Sequence, residues 1–263
     1  MTVRGGGMNG RRVLLTGAAG GIGAATARRL AATGARLALV DVDGDPLEEL
    51  AADLGDSAVT YTVDITNLPA LERVVDDARS RWGGLDVVIA NAAMDLIGPL
   101  GELPPEAFDR CIEVNVLGTW RTIRAALPAV RGPGGYVLVV SSAGVFMPPP
   151  FQGPYSASKA AVGALADTLR TELRGSGTRV GVIYFGSIDT EHARRSINHP
   201  LMQRATRRVP KSLLNYAPVD GAAEAIERAI LRRSRTAVFP RSNAPIMHLP
   251  GFAKRLMEGW FAP

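Results

Sequence analysis

The sequence predicts an α/β fold, a doubly wound parallel sheet of about seven strands with helices on both faces. Two observations carry this. Short apolar runs alternate with longer stretches of helical periodicity along the chain. Glycines and polar residues capable of chemistry fall directly after those runs, and ligands of such sheets bind outside the carboxyl ends of the strands. A length of 263 residues suits one domain. No repeat or low-complexity linker marks a second, so 1–263 is read as a single domain.

The elements follow in order. The Gly-rich lead-in, residues 1–10, is expected to be disordered, with Met8 as an alternative start. Val13-Leu14-Leu15 is the first strand and the Ala-rich stretch Gly21 to Thr33 a helix. Ala35 to Val40 is the second strand, followed by an acidic helix from Asp45 to Leu54. Val59 to Val63 is a strand, Leu68 to Trp82 a helix, and Val87 to Ala90 a strand. One long helix is expected from Pro104 to Val130. Tyr136 to Val140, a helix from Pro154 to Arg174, and Val180 to Phe185 complete the next unit. An Arg-rich polar stretch covers Glu191 to Leu214, within a segment 191–216 read as a substrate lid. A helix from Val219 to Arg232, the strand Ala237-Val238-Phe239 and a helical tail, 245–263, close the chain.

Composition excludes several classes. The chain is 46% hydrophobic, enough for a sizeable core. Its net charge is +5, with 27 of the 30 basic residues Arg. Such a balance suits an acidic partner or a solvated, Arg-rich surface; no basic stretch is interleaved with aromatics as base stacking requires, so no nucleic acid is expected. No apolar run approaches the 18 or more residues of a spanning helix, and the N-terminus lacks an apolar signal core. The single Cys111 forbids an internal disulfide; it reads as a buried hydrophobe in a reducing, cytoplasmic protein. His192, His199 and His248 form no metal-ligand pattern, so no metal is expected.

The reacting group is signalled by Tyr155 and Lys159 in Tyr155-Ser156-Ala157-Ser158-Lys159, near a helix start. Residues at i and i+4 share one face. A phenol beside a fixed positive charge loses its proton more readily than its usual value near 10 allows, giving an acid/base usable near neutrality. Alone, the pair also suits the surface of an amphipathic helix.

The cofactor is signalled at the other strand ends. Strand one runs into Thr16-Gly17-Ala18-Ala19-Gly20-Gly21-Ile22-Gly23. Glycines let the backbone approach a pyrophosphate, and the helix N-terminus directs free N–H groups at it. Asp41 ends strand two. An acid there accepts ribose hydroxyls and repels a 2′-phosphate; neither Ala18 nor Ala19 is an Arg that would hold such a phosphate. NAD is therefore preferred to NADP. Asp41 also suits a cap or turn, since Asp43 and Asp45 follow it.

The spacing Thr-Gly-x-x-x-Gly-x-Gly, with Tyr-x-x-x-Lys, resembles the short-chain dehydrogenase/reductase family in its short, single-domain, Rossmann-like branch. The resemblance runs from Arg12 to about Phe239 and carries further roles with it. It implies that Gly17, Gly21, Ile22 and Gly23 cradle the dinucleotide, that Asp64 faces the adenine amino group with Ile65 beside it, and that Asn91 and Ala92 line the next strand end. Ala93 stands where the family has Gly, and is expected to tighten the nicotinamide floor. Ser142, thirteen residues before Tyr155, takes the catalytic serine's place by its spacing, with Ser141 as competitor. Asn115 would hold a water linking Lys159 to solvent; an exposed, tolerated Asn is the plainer alternative. Gly186, Ile188 and Thr190 match the positions that hold the carboxamide, while Phe185 replaces the family's Pro and is expected to line the substrate pocket.

The family implies hydride transfer between NAD and a small-molecule substrate, here a hydrophobic secondary alcohol or its ketone, with Tyr155 as general acid/base. Ser142 would hold the substrate oxygen. Ala92 to Gly101, Phe146 to Gln152 and the lid would set the substrate. A catalytically silent dinucleotide sensor or scaffold on the same fold is the alternative, though both Tyr and Lys are retained. An epimerase or dehydratase would need a larger C-terminal region. The helices Pro104–Val130 and Pro154–Arg174 imply a homodimer or homotetramer. In the tail, Phe252, Leu256 and Trp260 recur at helical spacing; packing on the protein is preferred to membrane contact, because the polar face carries few Lys and Arg.

Overall fold

The computed structural model describes residues 7–207 and 216–248. Seven parallel strands lie in the order β3-β2-β1-β4-β5-β6-β7. They are β1 Arg12–Thr16, β2 Arg36–Asp41, β3 Ala58–Thr62, β4 Val87–Ala90, β5 Tyr136–Ser142, β6 Arg179–Phe185 and β7 Thr236–Phe239. The helices in chain order are α1 Gly21–Ala32, α2 Gly44–Leu54, α3 Leu68–Trp82, α4 Pro105–Ile112, α5 Thr119–Val130, α6 Gly153–Glu172, α7 Glu191–Asn198, α8 Pro200–Thr206, α9 Val219–Arg232 and α10 Ala244–His248.

The central strands carry unbroken apolar runs, Val13–Leu15, Val87–Ala90 and Tyr136–Val140, because both faces are covered, as parallel sheets require. Val13 and Leu15 point into one layer with Ala27 and Leu30 of α1, Leu47 and Leu50 of α2, and Ile226 and Ile230 of α9. Leu14, Val88, Val137 and Val139 point into the other, with Leu71 and Val75 of α3, Ile123 of α5 and Val162 and Ala166 of α6. The register sets the crevice. β1 pairs with β2 through Val13 and Leu37, and with β4 through Val13 and Val87. The chain therefore leaves β1 toward one edge and returns after β3 to its other side. That reversal opens a gap at the carboxyl ends of β1 and β4, where such sheets bind ligands.

Local chemistry sets the helix ends. The Asn67 side chain accepts from the Ala70 N–H at 3.1 Å, a cap on α3. Gly83, with φ of 79°, closes the same helix in the left-handed region.

Two expectations change: the disorder of residues 8–10 and the continuity of the helix from Pro104. Met8 is buried in the first core layer, and the Gly10 N–H donates to the Gly34 carbonyl at 2.7 Å, so residues 8–10 are held rather than disordered. The long helix from Pro104 is not uniform: Glu113–Gly118 forms a π-helical turn between α4 and α5. The polar stretch after Thr190 folds into α7 and α8, divided at His199–Pro200. Of the tail only α10 falls within the description; the apolar stripe of Phe252, Leu256 and Trp260 lies outside the described residues. Among the described residues no helix is long and apolar enough to cross a membrane, and no group of three or more His, Cys, Asp or Glu gathers to hold a metal.

Candidate active site

The glycine turn is shaped by close approach. Gly17 has φ of 68°, and a Cβ there would stand 2.7 Å from the Ala92 Cα. A Cβ on Gly23 would fall 1.8 Å from the Gly17 carbonyl oxygen, so the first turn of α1 rests directly on the loop. Gly20 caps that helix without a side-chain hydrogen bond, leaving first-turn N–H groups for an anion. A Cβ at Gly20 would meet nothing within 4 Å. A backbone cradle, an open helix N-terminus and a following acid fit a dinucleotide. Ile22 is half-buried against the first core layer.

The neighbouring strand ends are tied to this turn. Asp41 accepts from the Ala19 N–H at 2.8 Å through Oδ2, and from the Val42 N–H at 2.7 Å through Oδ1. It therefore holds the turn, whatever else it binds. Asn91 donates through Nδ2 to the carbonyls of Thr16 and Gly17, each at 3.0 Å, fixing β4 to the loop. Asp64 lies beyond β3. Its Oδ1 accepts from the Thr66 N–H and hydroxyl, and its Oδ2 from Arg110 at 2.8 Å. Burial raises the carboxyl, but Arg110 and Thr66 more than offset it and hold it below the usual range. The oxygen expected to face adenine is thus engaged by Arg110, a partner the sequence reading missed. Ile65 is buried, and its Cδ1 stands 2.5 Å from where a Cβ on Gly118 would lie.

The carboxyl end of β5 and the start of α6 bring the reacting side chains together. Ser141 and Ser142 have opposite fates. The Ser141 hydroxyl is buried and donates to the Lys159 carbonyl at 2.9 Å. Ser142 accepts from the Gly144 N–H at 3.1 Å and faces Tyr155, where its hydrogen bond favours the phenolate. Asn115 is buried in the π-helical turn, a distortion that exposes helix backbone for other uses. Its amide donates to the Met94 carbonyl and to Ser158 Oγ, each at 2.9 Å, and accepts from the Met94 N–H at 2.8 Å. An exposed, merely tolerated Asn is excluded.

The Tyr–Lys relation differs from the simple expectation. Lys159 Nζ lies 5.8 Å from the centroid of the Tyr155 ring and donates to the Val140 carbonyl at 3.1 Å. Burial first, and the Asp95 carboxylate after it, push the Tyr155 phenol up to about 12 against the opposing hydrogen bond of Ser142. Burial also pulls the Lys159 ammonium down to about 8. Burial dominates the phenol in this arrangement, and the ammonium donates to a backbone carbonyl, not to the tyrosine.

At the end of β6, the Gly186 N–H donates to the Phe239 carbonyl at 2.8 Å. A Cβ on Gly186 would lie 1.8 Å from Asn243 Nδ2, so a larger residue there requires the Asn243 side chain to move. Ile188 is buried and pairs with Ala217. Thr190 caps α7, accepting from the Ala193 N–H at 3.1 Å, and its Cγ2 stands 3.3 Å from the position of a Cβ on Gly21. Phe185 does not line the pocket. It is 4% exposed and packs edge-on against Phe239, the ring centroids 6.5 Å apart. Phe146, after β5, packs instead against Tyr184, the ring centroids 5.0 Å apart.

Fold and site together define a dinucleotide-binding oxidoreductase frame with a Ser-Tyr-Lys set at one strand end. A short chain dehydrogenase family model matches residues 11–200. The chain belongs to the short-chain dehydrogenase/reductase family and is an oxidoreductase of that family. It is 38% identical over 209 residues to an uncharacterized NAD-dependent oxidoreductase of Mycobacterium tuberculosis, covering 72% of this chain and 76% of the relative. It is 33% identical over 187 residues to a sorbitol dehydrogenase of Cereibacter sphaeroides, covering 70% and 73%. A short-chain dehydrogenase/reductase from Burkholderia phymatum, solved in complex with NAD, superimposes with a TM-score of 0.81 over 95% of each chain at 23% identity, a likeness of fold.

Proposed function

We propose that this chain is an NAD-dependent oxidoreductase interconverting a secondary alcohol and a ketone, with Tyr155 as general acid/base. The observation that carries the reading is the gathering of Ser142, Tyr155 and Lys159 at the end of β5, beside the glycine cradle. Bound NAD would supply the hydride acceptor. Ser142 holds the substrate oxygen and stabilises charge on it. Tyr155 moves the proton at that oxygen. A phenol near 12 must be lowered to work at neutrality, and Lys159 is the cation at hand: release from the Val140 carbonyl would bring its charge to bear on the phenolate. Asn115 fixes the Met94 backbone and the Ser158 hydroxyl beside this set, on the proposed proton path. Gly17, Gly21, Ile22, Gly23, Asp41, Asp64, Ile65, Asn91, Ala92, Gly186, Ile188 and Thr190 are the proposed cofactor contacts, together with Tyr155 and with Lys159, which would bond the nicotinamide ribose. An NAD-coupled screen over hydrophobic secondary alcohols tests the reading; failure to reduce NAD with any of them, in protein that binds NADH, favours the silent sensor.

The preference for NAD over NADP rests on Asp41. Asp41→Ala is expected to narrow the ratio of kcat/KM for the two cofactors by about tenfold or more, the size of one lost hydrogen bond to a charged group. Because Asp41 also holds the turn, Asp41→Asn serves as a second variant that keeps one acceptor. A wild type that already prefers NADPH overturns this assignment.

The assembly is proposed as a homodimer or larger. Leu117 and Trp120, in the α4–α5 run that family members pair, are 39% and 43% exposed. Light scattering at micromolar concentration is expected to give at least a dimer, and a monomer there defeats the proposal. A cytoplasmic setting is proposed from the lone, buried Cys111.

A further inference from the structure

The loop after β4 carries two acids, Asp95 and Glu102, and the Asp95 side chain is only 8% exposed. A carboxylate at that depth needs partners. Oδ1 accepts from the Leu96 N–H at 2.9 Å. Oδ2 accepts from Gln152 Nε2 at 2.9 Å and from the Ser196 hydroxyl at 2.6 Å. His192 Nε2 stands 3.9 Å from Oδ2, and no Lys or Arg pairs with Asp95 among the described residues.

These partners come from three segments that surround the mouth of the site. Leu96 belongs to the β4–α4 loop, Gln152 is the residue before α6 and three before Tyr155, and Ser196 and His192 lie on α7. Gly98 in the first loop also donates to the Phe151 carbonyl at 2.9 Å, binding the first two segments together. The negative charge of Asp95 is felt at both the Tyr155 phenol and the Cys111 thiol, which places it against the reacting group.

A carboxylate offers about four acceptor positions. Three are filled, two of them on Oδ2, so Oδ1 retains one open position. An ammonium would bring three donors to that single acceptor. An anion would meet a like charge. A hydroxyl supplies one donor and no net charge.

We propose that Asp95 determines specificity, accepting a hydrogen bond from a second hydroxyl of the substrate while its other oxygen ties α7 over the bound molecule. The preferred substrate is then a secondary alcohol bearing a neighbouring hydroxyl, set among the apolar Phe146–Phe151 residues. This rests on the alcohol oxidoreductase reading.

The test uses matched pairs with one carbon skeleton each: 2,3-butanediol against 2-butanol, and 1,2-cyclohexanediol against cyclohexanol. The intact chain should favour the diol in at least one pair by about tenfold or more in kcat/KM, the size of a hydrogen bond to a charged acceptor. Asp95→Asn should remove most of that preference by raising KM for the diol relative to KM for the mono-alcohol, while any change in kcat from the lost charge beside Tyr155 falls on both substrates alike. A merely structural role would lower both substrates alike. Equal use of diol and mono-alcohol by the wild type overturns the proposal, as does a preference that survives in Asp95→Asn with an unaltered melting temperature. A second measurement does not depend on turnover. Amide exchange across 191–206 in the presence of NADH should slow on adding the same diols to wild type, and not in Asp95→Asn or Ser196→Ala. No slowing in wild type, or equal slowing in both variants, overturns the proposal. If none of the four alcohols reduces NAD, the oxidoreductase reading fails for simple secondary alcohols, and the exchange result still decides the role of Asp95.

Discussion

Tyr155→Phe is expected to lower kcat by about 10²–10⁴-fold, the contribution of a positioned general acid/base, and to leave NADH affinity close to that of the wild type. The variant deletes one hydroxyl and keeps the ring. The place of the ring on α6 and the 5.8 Å approach of Lys159 to its centroid do not depend on that oxygen. Ser142 remains tied to the Gly144 N–H, so the place of the substrate oxygen survives while the proton carrier is gone. Fluorescence titration with NADH and turnover of an accepted alcohol, measured in one preparation, separate the two effects. Turnover at the wild-type rate removes Tyr155 from the chemistry; loss of NADH binding assigns it a structural part instead.

The second large effect concerns stability. Lys159 is 4% exposed, and burial lowers its ammonium to about 8. In the unfolded chain the same group keeps its proton to about pH 10.4. Between those values the unfolded state holds the additional proton, so wild-type stability rises with pH across that window. Below it, the native state carries a charged lysine in a buried place and is destabilised by the full difference. Lys159→Met removes the charge and keeps the bulk. Its one polar loss is the bond to the Val140 carbonyl. At pH 7 the variant should be more stable than the wild type by roughly 2 kcal/mol, about 3 from the shift less about 1 for the carbonyl. The gap should close as pH approaches 10.5, while turnover collapses throughout. Melting temperatures of both proteins between pH 7 and 10.5 provide the check; parallel curves sink the argument. The proposed catalytic lysine is thus expected to be held at the expense of the fold.

Much of the sheet was legible because its strands are buried on both faces, which leaves unbroken apolar runs such as Leu37 to Val40. The chemistry-bearing residues were visible because the crevice collects whatever follows those runs, as Asn91 follows Ala90. What sequence alone did not give depends on contacts between distant segments. Met8 is ordered by the core layer it enters, not by its Gly-rich neighbours. Asn115 stood out as a poor helix former, yet nothing local announces the π turn. The shared face of Tyr155 and Lys159 was foreseeable from i, i+4 spacing, but not the turn of the ammonium toward Val140, an atom of another element. Phe185 was misassigned for want of parity: it points to the same side of β6 as Ile183, into the layer with α9. Asp95 was hidden because an acid in a loop carries no periodicity; its partners lie as far off as Ser196.

The division between strand ends and connections has a consequence for descent. Ser142 ends β5 and Asn91 directly follows β4, with their surroundings pinned to neighbouring strands. Changing either disturbs the frame. Asp95, Gln152 and Ser196 sit on connections between elements or on the short helix α7, and meet only where those segments converge. Mutations there leave the two core layers untouched. On the proposed role of Asp95, substrate preference rests on residues that can change at small risk to folding, while the proposed reaction rests on residues bound into the frame itself.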